Sequence, residues 1–137
     1  MSICGLPVRL YDESEVEMQY VCLIYEDGKP RDRLDPDAVQ KMYEEYGKLG
    51  QEAAQKGVMR GGNELTGVSS ATSVRLRDGK RLVTDGPFAE TKEVLTGFMI
   101  FECASLDEAL DWASKIPSAK WGTIEVRPVV EHAAQPA

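Results

Sequence analysis

The side chains best suited to chemistry lie around one turn and on one predicted helix. Asp85 begins the turn and Glu90 follows it, and either carboxylate could accept hydrogen bonds or carry a proton. Phe88 could form an apolar wall beside them, and Tyr46 could donate its hydroxyl into the same cleft between the helices and the sheet. The predicted ligand-binding residues are Tyr46, Asp85, Gly86, Pro87, Phe88 and Glu90.

A structural interpretation of these residues stays open beside the functional one. In a turn, Asp85 caps the local backbone and Gly86 permits a positive φ. Pro87 fixes φ and Phe88 anchors the loop in the core. The chain needs a turn here in any case, because it leaves a hairpin and enters the next strand. Tyr46 lies on an apolar helical stripe, where a tyrosine usually belongs to the core with its hydroxyl at the edge.

Charged residues on both sides of the turn also have two interpretations. The hairpin before the turn is basic, with Arg75, Arg77, Lys80 and Arg81. These charges could receive an anionic ligand or partner, or could keep an exposed strand from pairing with other edges. The acidic side chains after the turn could belong to a pocket or to a solvated loop.

The composition is that of a globular chain and argues against several classes of protein. The 137 residues are 42% hydrophobic, which is enough for one domain with a buried core. Lys and Arg number 16 against 23 Asp and Glu, giving a net charge of -7, so nucleic-acid binding is not expected. No apolar run approaches the roughly 20 residues of a membrane-spanning helix, so no membrane association is expected. No phosphate-loop, dinucleotide, zinc-peptidase or hydrolase motif occurs, so no cofactor is predicted.

The cysteines and the single histidine argue against a metal site. Cys4, Cys22 and Cys103 are odd in number and far apart, and His132 is the only histidine. We therefore predict no disulfide framework, no metal site and no Ser-His-Asp triad. Cys22 and Cys103 lie in apolar runs, which predicts buried core thiols. Unpaired thiols and the lack of a signal-peptide pattern lead us to expect a cytoplasmic protein.

Hydrophobic periodicity divides the chain into an extension at 1–17, one domain at 18–132 and a tail at 133–137. The segments 18–26 and 95–104 are apolar on both faces, which predicts two central strands. The other predicted elements are a helix at 36–56, a strand at 58–65, a hairpin at 72–84, a helix at 106–116 and an edge strand at 122–130.

The order of these elements is β-α-β, hairpin, β-α-β. It predicts an α+β fold of the ferredoxin-like split βαβ type with an inserted β-hairpin. Two helices can cover only one face of the sheet, whereas both central strands are apolar on two faces. We therefore predict a homodimer packed sheet to sheet, in which a second copy covers the remaining face.

Several segments resemble a known family. DGKRLVTDGPFAETKE, at 78–93, closely resembles the signature of the DGPF subfamily of YCII-related proteins. MQYVCLIY from Met18 resembles that family's first strand, and LDEALDWASKIP with GTIEVRPV resembles its last helix and strand. The resemblance covers about 18–132. It implies a ferredoxin-like fold that assembles as a dimeric α/β barrel.

The resemblance implies less about activity. Some YCII-like proteins are thought to use a histidine and an aspartate as a catalytic pair, and these positions fall near Tyr46 and Ile116 here. Neither residue type is present, so the leading hypothesis is a small-molecule-binding protein without that pair. The first alternative is an isomerase- or dehalogenase-type enzyme with Asp85 or Glu90 as proton carrier. The second is an accessory protein for an extracytoplasmic-function sigma factor, with which members of the subfamily are often associated.

Overall fold

A computed structural model describes residues 17–28 and 34–132, and within these ranges the chain is an α+β structure. It has two α-helices, a four-stranded antiparallel sheet and a separate two-stranded hairpin, and the described strands form no closed barrel. The elements are β1 (Met18–Glu26), α1 (Pro36–Gln55), β2 (Met59–Glu64), β3 (Thr72–Arg77), β4 (Lys80–Asp85), β5 (Val94–Cys103), α2 (Leu106–Ser114) and β6 (Thr123–Pro128). The predicted extension, apart from its last residue, and the predicted tail lie outside the described residues.

The four-stranded sheet has the order β2-β5-β1-β6, so the two strands that are apolar on both faces are central, as predicted. β1 pairs antiparallel with β5 along its whole length, from Met18 opposite Cys103 to Glu26 opposite Val94. β6 pairs with the other side of β1 and forms an edge. Pro128 ends this edge strand, where its missing N–H removes no interior hydrogen bond.

Both helices begin with a side-chain cap of a residue type that favours this position. The Asp35 carboxylate accepts a hydrogen bond from the Ala38 amide at 2.9 Å, and Pro36 occupies the first helical position of α1. The Ser105 hydroxyl accepts from the Glu108 amide at 3.2 Å and starts α2. Within the described ranges, neither helix is both long enough and apolar enough to cross a membrane.

The core lies between one face of the sheet and the two helices. Phe101 of β5 is fully buried and stacks on Trp112 of α2, with ring centroids 5.5 Å apart. The helical periodicity of α2 predicts Leu106 and Leu110 on its inward face, but both are about half exposed. Trp112 is buried there instead. The large indole ring takes the inward position of α2 because it packs on Phe101 and leaves the two leucines at the side.

The predicted burial of Cys22 and Cys103 is confirmed, since both side chains are fully buried in this core. Burial and, to a smaller extent, the neighbouring Cys103 raise the pKa of the Cys22 thiol to about 12. Burial together with nearby carboxylates, Glu108 first, raises the pKa of Cys103 to about 11. Both thiols are therefore protonated and unreactive at neutral pH.

The β3–β4 hairpin stands apart from the core. Asp78 and Gly79 have φ of 52° and 75° and form its two-residue turn, as the Asp-Gly pair predicts. Val74 pairs with Val83, and both side chains are more than half exposed, as is Leu76. The hairpin therefore presents several apolar side chains to solvent.

Candidate functional site

A cavity of about 510 Å³ lies between α1 and the β2-β5-β1 part of the sheet. Its walls are largely apolar, with Met42 from α1, Met59 from β2, Met99 from β5 and Ile24 from β1. This volume is within the range of pockets that bind small organic molecules. Methionine walls are flexible and polarizable, so they adapt to ligands of different shape.

Close approach of two strands forms one side of the cavity. A Cβ on Gly62 would lie 2.9 Å from the Phe98 carbonyl oxygen, and a Cβ on Gly97 would lie 2.9 Å from the Asn63 carbonyl oxygen. The register of β2 against β5 shifts between Met59 and Gly61, which is the bulge or close approach that the Gly61-Gly62 pair indicated. Glycine here allows close pairing and leaves part of the cavity wall as bare backbone.

A buried carboxylate faces this cavity at the end of β1. Glu26 is only 4% exposed. The Thr96 hydroxyl donates to one carboxylate oxygen at 2.6 Å, and the Trp121 indole N–H donates to the other at 2.6 Å. Gly122 makes this possible, because a Cβ there would collide with the Tyr25 carbonyl oxygen. The chain thus passes close to β1 and brings the indole N–H to Glu26.

A second hydroxyl pair lies on the same cavity. Tyr46 of α1 shares a short hydrogen bond with the hydroxyl of Ser118, which is buried in the 3-10 turn Pro117–Lys120. The pKa of the Tyr46 phenol is raised to about 12, mainly by burial and also by the negative charges of Glu26 and Glu64, while the bond to Ser118 acts in the opposite direction. Tyr46 is therefore a neutral hydrogen-bonding group at physiological pH and not a phenolate base.

The outer part of the cavity carries a further tyrosine–carboxylate contact. The Tyr43 hydroxyl, one helical turn before Tyr46, donates to the Glu64 carboxylate at 3.1 Å. Tyr43 is 41% exposed, so this contact lies nearer to solvent than Glu26 does. The cavity therefore has a buried polar end at Glu26 and a more exposed one at Glu64. Within the described residues no group of three or more His, Cys, Asp or Glu is arranged to hold a metal ion.

Comparison with known proteins gives the chain its family. The family model of the YCII-related domain matches residues 18–133, most of the chain. The chain belongs to the YCII-related family. An uncharacterized protein of Rhizobium meliloti (strain 1021) is 45% identical over 97 residues, which are 69% of this chain and 70% of that relative. The family resemblance drawn from the sequence is thus confirmed at this level.

The sequence-predicted ligand residues of this YCII-related chain do not all come together. Tyr46 lines the cavity, whereas Asp85, Gly86, Pro87, Phe88 and Glu90 belong to the end of β4 and the loop after it, and none of these five is part of the cavity lining. The side chains of Asp85 and Glu90 are exposed. A ligand-binding role for this loop stays a prediction.

The loop after β4 does have the features of a structural turn. Gly86 has a φ of +96°, its amide donates to the Ala71 carbonyl at 2.7 Å, and its own carbonyl accepts from the Ser73 hydroxyl at 2.9 Å. These bonds hold the end of the hairpin to the segment before β3. The expectation that Phe88 anchors the turn in the core is wrong, because Phe88 is 80% exposed. The turn is fixed by backbone hydrogen bonds and not by burial of the aromatic ring.

The positions that match the histidine–aspartate pair of some relatives differ in environment. Tyr46 lines the cavity, but Ile116 is buried in the core at the end of α2. In this YCII-related chain the cavity therefore has a phenol where the resemblance places an imidazole. The carboxylates that line it, Glu26 and Glu64, come from other positions.

Sequence reasoning missed the buried carboxylate of the YCII-related chain, although a signal was present. Tyr20, Cys22 and Ile24 form the buried parity of β1, and Glu26 continues that parity. An acidic residue at the next inward position of a central strand indicates a buried charge. Thr96 and Ser118 gave no comparable signal, because only the folded chain brings them to Glu26 and Tyr46.

Proposed function

We propose that this chain binds a small organic molecule in the cavity between α1 and the sheet. The observation that carries the proposal is the combination of apolar walls with converging polar groups. Glu26, Tyr46 and Ser118 present a carboxylate and two hydroxyls to a largely apolar space whose walls include three methionines. Binding sites for small molecules have this composition, with a few fixed polar groups that orient an apolar ligand.

The experiment is a screen of small organic fragments by ligand-observed NMR on the full chain and on Met42→Trp. The larger indole at position 42 should fill the cavity from α1 and abolish binding, with a moderate loss of stability. Leu76→Trp is the matched control, because Leu76 is 68% exposed on the hairpin. The proposal would be overturned if the Met42→Trp variant has the circular dichroism spectrum of the native fold and binds the fragments as well as the unmodified chain does.

The enzyme alternative is less well supported. Asp85 and Glu90 were the candidate proton carriers for an isomerase- or dehalogenase-type reaction. Both side chains are exposed, whereas a general acid or base is usually shielded and placed beside the reacting group. We therefore favour ligand binding over proton transfer at this loop. Asp85→Ala should leave fragment binding in the cavity unchanged, and a loss of binding would bring the loop back into the site.

We further propose that the chain is a ferredoxin-like protein of the DGPF subfamily. In this proposal two copies pack sheet to sheet and form a homodimer, which is a dimeric α/β barrel. The strand order β2-β5-β1-β6 supports the ferredoxin-like assignment. Both described helices pack on one face, and the other face presents half-buried apolar side chains: Val21, Leu23, Tyr25, Phe98 and Ile100. Light scattering should give twice the chain mass, and Leu23→Lys should give a monomer. A wild-type chain that stays monomeric when concentrated would refute this assembly.

The accessory-protein hypothesis has one supporting feature. The β3–β4 hairpin presents exposed apolar and basic side chains that another polypeptide could contact. Native mass spectrometry of the protein purified gently from the cytosol of its own cells tests this hypothesis and the expected location together. A sigma factor retained in the complex would support the accessory role, whereas a dimer that carries only a small extra mass would support the ligand cavity.

A further inference from the structure

We propose that the ligand of the cavity carries a protonated amine on an apolar body of aromatic size, with Glu26 as the partner of the ammonium group. This inference rests on the proposed ligand-binding function and adds the chemical class of the ligand. It follows from the hydrogen bonds of Glu26, from the charges of the lining and from the side chains that surround the space.

Glu26 is a buried carboxylate with acceptor capacity to spare. Its two oxygens offer about four acceptor positions, and the donors from Thr96 and Trp121 are both neutral. None of the ion pairs formed within residues 17–28 and 34–132 includes Glu26. A buried charge is costly unless a charge of opposite sign accompanies it. An ammonium group in the cavity would supply that charge and would complete the hydrogen bonding of Glu26.

Glu26 brings a negative charge into the described part of the lining. Of its described residues, Glu26 and Glu64 are the charged ones, and no Lys, Arg or His is among them. Lys120 lies on the same 3-10 turn as Ser118, but it pairs with Glu45 at 3.1 Å and is outside the lining. A ligand with a carboxylate or phosphate would meet like charge in a space of low dielectric constant. A cationic ligand would meet complementary charge.

The other lining groups suit the rest of such a ligand. Tyr43 and Tyr46 bring two aromatic rings from successive turns of α1, and aromatic faces attract ammonium groups. Met42, Met59 and Met99 provide an apolar surface for a ring system. Burial is the main cause of the raised pKa of Tyr46, and the negative charges of Glu26 and Glu64 add to it because both oppose the formation of a phenolate. The field that disfavours an anion at Tyr46 favours a cation in the neighbouring space.

The test compares three probes of nearly equal size and shape: tryptamine, tryptophol and indole-3-acetate. Isothermal titration calorimetry on the full chain at neutral pH measures the affinity of each. Tryptamine should bind about tenfold more tightly than tryptophol, because a charged hydrogen bond is stronger than a neutral one by roughly that factor. Indole-3-acetate should bind more weakly than tryptophol.

A pair of variants identifies the responsible carboxylate. Glu26→Gln keeps the shape of the side chain and removes its charge, so it should lower the affinity for tryptamine by about tenfold and leave that for tryptophol nearly unchanged. Glu44→Gln is the matched control, because Glu44 is an exposed carboxylate of α1 outside the cavity lining, and it should change neither affinity. The comparison of the three probes on the unmodified chain needs no variant, so it decides the matter even if Glu26→Gln fails to fold.

The outcomes distinguish failure of the amine proposal from failure of the proposed ligand-binding function. Equal or tighter binding of indole-3-acetate would overturn the amine while leaving the ligand-binding function intact. If the chain binds none of the three probes, but binds other fragments and Met42→Trp abolishes that binding, then only the proposal of an amine ligand is refuted. If the chain binds no small molecule, both the ligand-binding function and the amine ligand are refuted.

Discussion

The helix-covered face of the sheet and the β3–β4 hairpin with its following loop differ in how their side chains are used. On the covered face, Phe101 is fully buried and Glu26 nearly so, and each has a defined partner in Trp112 or Thr96. On the hairpin and loop, Phe88 and Leu76 are exposed. The loop contains the most conspicuous motif of the sequence, but the cavity and its polar cluster lie on the covered face.

The difference teaches that a conspicuous motif and a ligand cavity need not coincide. The Asp85–Phe88 segment contains residues that a turn requires, with Gly86 at a φ of +96° and backbone bonds to neighbouring segments. The glycine at position 86 is explained by this local geometry. Glu26 has no such local explanation, because a carboxylate in a central strand is costly to bury. A residue whose burial costs folding free energy is a better indicator of function than a motif that a turn explains.

The largest expected effect separates two phenylalanines. Phe101→Ala removes a fully buried ring that stacks on Trp112, so it should lower the free energy of unfolding by about 3–5 kcal/mol. Phe88→Ala truncates an exposed ring and should change that free energy by less than about 0.5 kcal/mol. Urea denaturation of both variants measures the contrast. A loss above about 2 kcal/mol for Phe88→Ala would mean that the loop is covered by a partner surface.

The next effect separates two glutamates. Glu26→Ala leaves the Thr96 hydroxyl and the Trp121 indole N–H without their acceptor, so it should cost about 1–3 kcal/mol of folding free energy. Glu90→Ala removes an exposed carboxylate and should have almost no effect. The same denaturation experiment measures both. Equal stability of the two variants would show that the Glu26 network adds nothing to the fold.

The alkaline pH dependence of stability tests the environment of Tyr46. Its pKa is about 12 in the folded chain and about 10 for an ordinary tyrosine, so the folded state holds the proton more tightly. The resulting stabilisation is complete below about pH 10 and is lost as the pH rises toward 12. Tyr46→Phe has no phenol to titrate, so it should lose less stability than the wild-type chain over this interval. The Cys22 thiol titrates alike in both proteins and does not contribute to the difference. Parallel curves for the two proteins would contradict a buried phenol.

The smallest expected effect concerns the hairpin. Leu76→Ser replaces an apolar side chain that is 68% exposed, so the free energy of unfolding should change by less than about 0.5 kcal/mol. Leu49→Ser on α1 is the matched control at a buried position and should destabilise the chain severely. A large effect of Leu76→Ser would place the hairpin in an interface and remove the contrast between the two regions.

Most of the fold was predictable from local signals. The two central strands, the caps at Asp35 and Ser105, and the Asp-Gly turn follow from residue types and spacing. The burial of Trp112 in place of its leucine neighbours was not predictable, because it depends on the space beside Phe101. Of the site, Tyr46 was predicted, and the buried parity of β1 also carried a signal for Glu26. Contacts such as that between Glu26 and Trp121 join residues 95 positions apart, and no local pattern encodes them.

The most direct test of the ligand cavity is an NMR titration of the methionine methyl groups with tryptamine. Met42, Met59 and Met99 line the cavity, whereas Met18 packs against the core outside it and is the internal control. The account predicts saturable shifts of the first three methyl signals, with Met18 and the amides of Gly86 and Phe88 unchanged. Shifts at Gly86 and Phe88 with stationary methionine signals would contradict it and would assign ligand binding to the loop after β4.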